Sequence, residues 1–304
     1  MTDSQDTPTP TKAQEGHKGD PLVAVLLTWF LPGAGHLYLG RRKFALIAFL
    51  VVEGLYFAGL TLSQGMFLEY LPAEMRGRFA AALTPEVGNL GALLYHVDAY
   101  GFGLAFPREW PAHMDLGTLL TAVSGILNVM LMSRAHFDAR HVTREAGKPI
   151  GPALAASLSL VLPGLGQIIQ GRRGRGILIA SMLLTVFFVG TQMAGGTNLD
   201  RERHFYYWAG QFMLGAPAWL TEFAHGHTLA LEMPLRVDAG IVLGCVAGML
   251  NILVMLDAYG YSEAKHLGVE PPRSAKSAKA DAPKDALAKA VASGATESTS
   301  EVQA

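Results

Sequence analysis

Six apolar segments, 21–40, 44–62, 117–133, 152–171, 176–193 and 239–256, constrain this chain more than any other feature it has. Each is about as long as a helix that crosses a hydrocarbon core, roughly 17–25 residues. Helix is the required conformation, because an open strand in lipid leaves its backbone amides and carbonyls unpaired. Half of the 304 residues are hydrophobic and 16% are charged, against about 25% charged in a typical soluble domain. That composition excludes a disordered chain, an ordinary soluble globule and a nucleic-acid binder. The formal net charge of -1 gives no bulk attraction to acidic partners, and the single cysteine, Cys245, allows no intrachain disulfide.

The flanks read differently. Residues 1–20 are polar and lack the basic start, apolar centre and cleavage site of a signal peptide. Residues 263–304 become an Ala/Lys/Ser-rich tail too poor in apolar side chains to offset its ordering entropy. Both are expected to be disordered.

The middle is a tandem duplication. Leu31-Pro32-Gly33-Ala34-Gly35-His36 returns as Leu162-Pro163-Gly164-Leu165-Gly166-Gln167, and Gly40-Arg41-Arg42 as Gly171-Arg172-Arg173, both at an offset of 131. Pro111, Asp115, Gly117, Gly125, Leu127, Asn128 and Met132 return as Pro234, Asp238, Gly240, Gly248, Leu250, Asn251 and Met255 at an offset of 123. The division is therefore a 1–20 tail, a membrane repeat over 21–139, a basic linker over 140–151, a second membrane repeat over 152–262, and the 263–304 tail. The expected fold is an all-α polytopic membrane protein with four full crossings and two Pro-Gly-broken segments that either re-enter or span. Internal duplication is common in membrane proteins, transporters among them.

In each broken segment the proline, Pro32 or Pro163, removes a helical amide. Gly33, Gly35 and Gly40, with Gly164, Gly166 and Gly171, permit a tight turn and close backbone approach. His36 and Gln167 share one repeat position and are expected to satisfy freed backbone groups. The run from Leu31 to Arg42 resembles the signature of the two-transmembrane-helix domain family. It is also similar to small prokaryotic membrane proteins built around Pro-Gly-x-Gly-Gln-x-Tyr-x-Gly, which Pro163–Gly171 matches more closely. Ile169 stands where the first copy has Tyr38, and the His-Arg-Phe-Tyr run of the two-helix family is broken here. The resemblance implies a membrane hairpin module, a bacterial inner membrane and no particular activity.

Chemistry-bearing residues are few. Glu53 lies mid-way along its segment, and an intramembrane carboxylate is a functional candidate by default; its repeat counterpart is Leu184. Asp257 is expected to close the last helix at the interface. His225, His227 and Glu222 form a weak metal pattern, and solvated loop histidines are the expected reading. No nucleophile elbow, Walker loop or zinc-protease motif occurs, so no catalytic, cofactor or metal residue is assigned. The aromatic stretches 87–106 and 205–223 are expected to be interfacial helices.

Of 24 Lys and Arg, six (Arg76, Arg78, Arg108, Arg201, Arg203 and Arg236) lie in the long loops. The rest mark the tails, the two basic turns and residues 134–148 as cytoplasmic. With all of these on one side, 21–40 and 152–171 must turn back at Pro-Gly. The basic turns are topology anchors that also suit anionic lipid headgroups. Gly117, Thr121 and Gly125, and Gly240, Gly244 and Gly248, form matched small-residue stripes. They are expected to pack helices 117–133 and 239–256 together, with Asn128 and Asn251 as hydrogen-bonding glue. The expected function is a non-enzymatic scaffold or regulator with protein partners not readable from sequence. The alternatives are a small transporter or channel using Glu53 and, third, an intramembrane enzyme.

Overall fold

A computed structural model describes residues 19–71, 82, 84–100, 109–141, 150–225 and 234–269; the tail expectations lie outside them except at 19–20 and 263–269, where the last helix runs on to His266 instead of giving way to a disordered tail. All regular structure among these residues is helical. The first repeat holds α1 (Pro21–Phe30), α2 (Ala34–Tyr38), α3 (Arg42–Leu62), a 3-10 turn (Pro85–Gly88), α4 (Leu90–Tyr100) and α5 (Met114–Arg140). The second holds α6 (Pro152–Val161), α7 (Leu165–Ile169), α8 (Arg173–Met193), a 3-10 turn (Thr197–Leu199), α9 (Phe205–Phe212), α10 (Ala216–His225) and α11 (Val237–His266). Helices α3, α5, α8 and α11 are long and apolar enough to cross a membrane.

The Pro-Gly segments fold back on themselves. Asp20 caps α1, accepting from the amides of Leu22 and Val23 at 2.8 and 3.1 Å, with Pro21 in the first helical position. Pro32 ends the helix, and Gly33 takes φ of 85°, a left-handed turn that favours glycine. Helix α2 then returns along α1, with Gly35 seated against the Ala24 carbonyl. The Asp20 amide donates to the Tyr38 hydroxyl at 3.2 Å, so the segment begins and ends at the same level. The second repeat repeats the device, with Gly164 at φ 82° and Gly166 against the Ala155 carbonyl.

The basic turns lie at that same end. Arg41 pairs with Asp138 near the end of α5. Arg172 and Arg175 both pair with Asp257, at 2.9 Å each. Both repeats thus have the same orientation. Asp257 does not close its helix: α11 runs on to His266, because the ion pairs and the Gln167 amide cover its charge.

The small-residue stripes pack within each repeat, which corrects the expected pairing of α5 with α11. Among the described residues α5 packs on α3, α1 and the 3-10 turn, and α11 on α8, α6 and α9. Gly117 and Thr121 meet Gly59 of α3; Gly125 meets Pro85 and Glu86; Gly240 meets Gly190 of α8; Gly244 and Gly248 meet Gln211 and Gly210. Gly59 and Gly190, the partners missed in the sequence, are themselves 131 apart. The repeats join instead through α5 on α6, with Leu119, Ala122 and Ile126 sharing one core with Ala156, Leu160 and Phe212.

Of the expected interfacial stretches, 101–106 lie outside the described residues, and the described parts pack into the bundle. In repeat 1 the 3-10 turn reaches the middle of α5, and α4 leads away from it. In repeat 2, α9 and α10 form a hairpin broken at Gly215, which abuts the Leu160 carbonyl. Each repeat therefore contains two half-depth elements that enter from opposite ends and meet.

Candidate functional site

The meeting point is organised by proline chemistry. In α1 the carbonyl of Thr28 would accept from the amide of residue 32, and Pro32 has none. Asn128, half-way along α5, supplies the missing proton, donating through Nδ2 to the Thr28 carbonyl at 2.8 Å. The same amide group donates to the Gly88 carbonyl at 2.9 Å and so ties in the opposing element. Asn251 does the same in repeat 2, donating to the Ser159 carbonyl at 3.2 Å and to Met213 at 3.0 Å. Ser159 stands four residues before Pro163. Rather than joining α5 to α11, each asparagine joins a crossing helix to two half-depth elements of its own repeat.

Gln167 is fully partnered: its Nε2 donates to the Val254 carbonyl and to Asp257, and its Oε1 accepts from Ser159 Oγ. His36, at the matching place, differs from the expected backbone-satisfying role. It is buried against Phe44, with ring centroids 4.7 Å apart, and neither ring nitrogen has a hydrogen-bond partner among the described residues. Arg134 and Arg41 are its charged neighbours.

Above the asparagine, repeat 1 has a buried polar pocket. Glu53 accepts a hydrogen bond from Asn89. The Asn89 amide also lies 3.4 Å from Ser124 Oγ, and Ser124 donates to the Val52 carbonyl at 2.9 Å. Tyr56, within electrostatic reach of both Glu53 and Glu86, is fully buried, and its hydroxyl has no partner among the described residues. The repeat offsets place Leu184, Phe187 and Ala247 opposite Glu53, Tyr56 and Ser124. The matched glycine contacts, Gly125 on Glu86 and Gly248 on Gln211, place Leu214 opposite Asn89. All four counterparts are apolar, and three of them (Phe187, Leu214 and Ala247) belong to the main core.

Further from the basic turns lies an ion-pair cluster. Arg201, 4% exposed, donates to both oxygens of fully buried Glu86 at 3.1 and 3.4 Å and to the Thr118 carbonyl at 3.3 Å. Thr121 also donates to Glu86, at 3.0 Å. The guanidinium stacks 4.1 Å from the Trp208 ring, and Trp208 donates to Glu222 at 3.1 Å. Tyr70 donates to Asp115 beside it. Burial pushes the Glu222 carboxyl up to about 7, partly opposed by Arg201. The counterpart of Glu86 is Gln211, a neutral amide that exchanges hydrogen bonds with Asn198 at 2.6 and 2.7 Å. Glu222 thus accepts from Trp208, His225 packs on Gly196, and His227 lies outside the described residues.

From one end of repeat 1 to the other the order is Asp115 and Glu86, then Tyr56, Asn89, Glu53 and Ser124, then Asn128, and finally His36 beside Arg134 and Arg41. Sequence reasoning found Glu53, Asn128 and His36. It missed Glu86, Asn89, Tyr56 and Arg201, although aligning the repeats through Glu53 and Leu184 also sets Tyr56 against Phe187.

The model of a family of unknown function, DUF6677, matches residues 23–147 and again 154–270. No curated protein and no solved structure matches the chain.

Proposed function

Starting from a chain that belongs to this family of unknown function, we propose that the protein is a small non-enzymatic membrane transporter that handles protons through repeat 1. One observation supports this above all. Where repeat 2 packs Leu184, Phe187, Leu214 and Ala247, repeat 1 buries Glu53, Tyr56, Asn89 and Ser124. Two further matched positions replace Gln211 and Gln167 by the titratable Glu86 and His36. A purely structural bundle gains nothing from these replacements, since buried polar groups cost free energy unless fully paired. The unpartnered Tyr56 hydroxyl and His36 ring nitrogens extend the line of groups able to exchange a proton. Helix breaks that meet near the middle of the bundle give such a line backbone that can shift without crossing the whole bilayer.

In this reading Glu53 is the proton-binding group, Asn89 and Ser124 orient it, and Glu86 and His36 face the two ends. Repeat 2 is the rigid frame. The basic turns, chain ends and α1–α2 hairpin face the cytoplasm, by the positive-inside rule, in a bacterial inner membrane. The hairpin with its following helix is the module shared with the two-transmembrane-helix domain family.

The test is proton flux into proteoliposomes under an imposed potential, followed with an internal pH dye. Flux above empty vesicles is expected, with loss of most of it in Glu53→Gln and retention in Leu184→Ala. Flux that is absent, or unchanged in Glu53→Gln, overturns the proposal and leaves the scaffold or regulatory role.

A further inference from the structure

At the end opposite the basic turns the two repeats share a small polar cavity. Tyr70, Asp115 and Thr118 line it from repeat 1, and Asp200, Arg201 and Glu222 from repeat 2. Its volume is about 10 Å3, room for one water molecule. The acids around Arg201 are not equivalent. Asp115, in the first turn of α5, is half-buried and accepts from Tyr70. Asp200 pairs with Arg203 at 3.3 Å and accepts from the amides of Glu202 and Arg203. Glu86 is fully buried and held by Arg201 and Thr121. Glu222 is buried too, but it accepts from the Trp208 indole and makes no ion pair among the described residues.

Arg201 lies within electrostatic reach of both buried glutamates. Its Nη2 donates to Glu86 and its Nη1 to the Thr118 carbonyl, while Nε, shut off from solvent, has no hydrogen-bond partner among the described residues. The guanidinium stacks on the same Trp208 ring that holds Glu222. The charged or titratable groups facing Glu222 are Asp115 of α5, Glu86 of the 3-10 turn, Tyr70 and Arg201. Helix α6, which also packs on α10, has no titratable residue, and α9 contributes Trp208. Burial therefore outweighs the one cation, and the Glu222 carboxyl keeps a proton up to neutral pH.

From this cavity, its half-exposed acid and the guanidinium placed between two buried glutamates, we infer that Glu222 is the group that loads a proton at this end, with Arg201 as the gate between Glu222 and Glu86. The inference rests on the transport reading and extends its path by one group, supplied by repeat 2. A proton from outside reaches Glu222 through Asp115 and one water in the cavity. While Glu222 is protonated and neutral, Arg201 stays on Glu86. In the transfer the O–H bond of Glu222 breaks and an O–H bond forms on Glu86. Arg201, which keeps its own proton, turns its unused Nε–H to the new Glu222 carboxylate. The net charge of the cluster is the same before and after, so no uncompensated charge is left buried. Glu86, now neutral, passes the proton on towards Tyr56 and Glu53, both within electrostatic reach along the path.

The full-length protein in detergent is titrated across neutral pH and followed by tryptophan fluorescence, because the Trp208 indole touches both Glu222 and Arg201. One transition near pH 7 is expected. It should vanish in Glu222→Gln and in Trp208→Phe, and return with a shifted midpoint in Glu222→Asp. No transition in wild type, or one that persists in Glu222→Gln, overturns the inference, and the first of these outcomes needs no variant to fold. In proteoliposomes held at equal pH on both sides under an imposed potential, wild-type flux should fall as pH rises through about 7. Glu222→Gln should lose most of the flux, and Glu222→Asp should keep it with the pH midpoint moved. Flux that depends on Glu53 but is unchanged in Glu222→Gln overturns this inference alone. Flux absent from wild type, or unchanged in Glu53→Gln, overturns the transport reading and the loading role with it.

Discussion

Repeat 1 and repeat 2 share a backbone plan and differ in what they bury. Both fold a Pro-Gly hairpin, return its missing helical hydrogen bond from an asparagine on the last crossing, and close their two crossings through glycine contacts. Around that common frame repeat 2 packs Phe187, Leu214 and Ala247 into the main core. Repeat 1 buries a carboxylate, a phenol, an amide and a hydroxyl at the matching positions. The basic ends differ in the same way. Arg41 meets Asp138 four residues beyond Arg134, whereas Arg172 meets Asp257 and stacks 4.5 Å from Tyr261. Positions that bear the frame stayed alike, and positions that only fill it diverged. One unit can then hold the structure while the other accommodates costly polar groups.

The sharpest way to break this comparison is at Arg201, a charge that repeat 2 lends to repeat 1. Arg201→Ala leaves Glu86 buried without its charged partner, and the expected loss is about 3–5 kcal/mol. Glu86→Gln in the same chain should recover most of it, since Gln211 shows that a neutral amide fits the equivalent place. Chemical unfolding of single and double variants in detergent reads the effect; a double variant no more stable than Arg201→Ala would refute it.

The asparagines test whether the frame is truly shared. Asn128→Ala strips a donor from two carbonyls and Asn251→Ala from three, and each should cost about 1–3 kcal/mol. Similar losses support equivalence of the repeats, and a loss confined to one of them breaks it.

Glycine contacts give a comparison with an internal control. Gly59→Leu should lower the unfolding temperature, because its Cβ would lie 2.5 Å from the Gly117 carbonyl, while Gly54→Leu faces open space on the same helix. In a Cys245→Ser background, cysteines at 121 and 244 should not form a disulfide in membranes, because α5 and α11 pack within their own repeats.

The smallest expected effects concern pH. Glu222 has its carboxyl raised to about 7, so the folded state holds a proton that the unfolded state releases from about pH 4.5 upward. Its contribution is present at low pH and is lost as pH rises through 7. His96 is held down to about 4 by burial, so its contribution is present above about pH 6.5 and is lost as pH falls towards 4. Glu222→Gln should flatten the alkaline side of a stability profile and His96→Gln the acidic side. Profiles unchanged in both would refute the assignment.

Much of the frame was legible before any coordinates. The duplication and the Pro-Gly breaks stand in the sequence itself, and the lysine and arginine distribution favoured two units in one orientation with hairpins that turn back over six full crossings. These features act locally or by symmetry: a proline removes its own amide, and an offset needs no contact map. The stripes in α5 and α11 were also visible, because residues four apart share a helix face. Which neighbour each stripe met was not, and small residues admit any close helix. Tertiary structure decided that Gly59 and Gly190, not the opposite stripe, fill those grooves. It alone brought Asn128 to Thr28 across 100 residues and Arg201 to Glu86 across 115. It also revealed the polar pocket, because Tyr56, Asn89 and Ser124 read singly as ordinary residues of a helix or loop. Their chemistry arises only where backbone from three elements converges around Glu53, and convergence of that kind leaves no periodicity in a sequence.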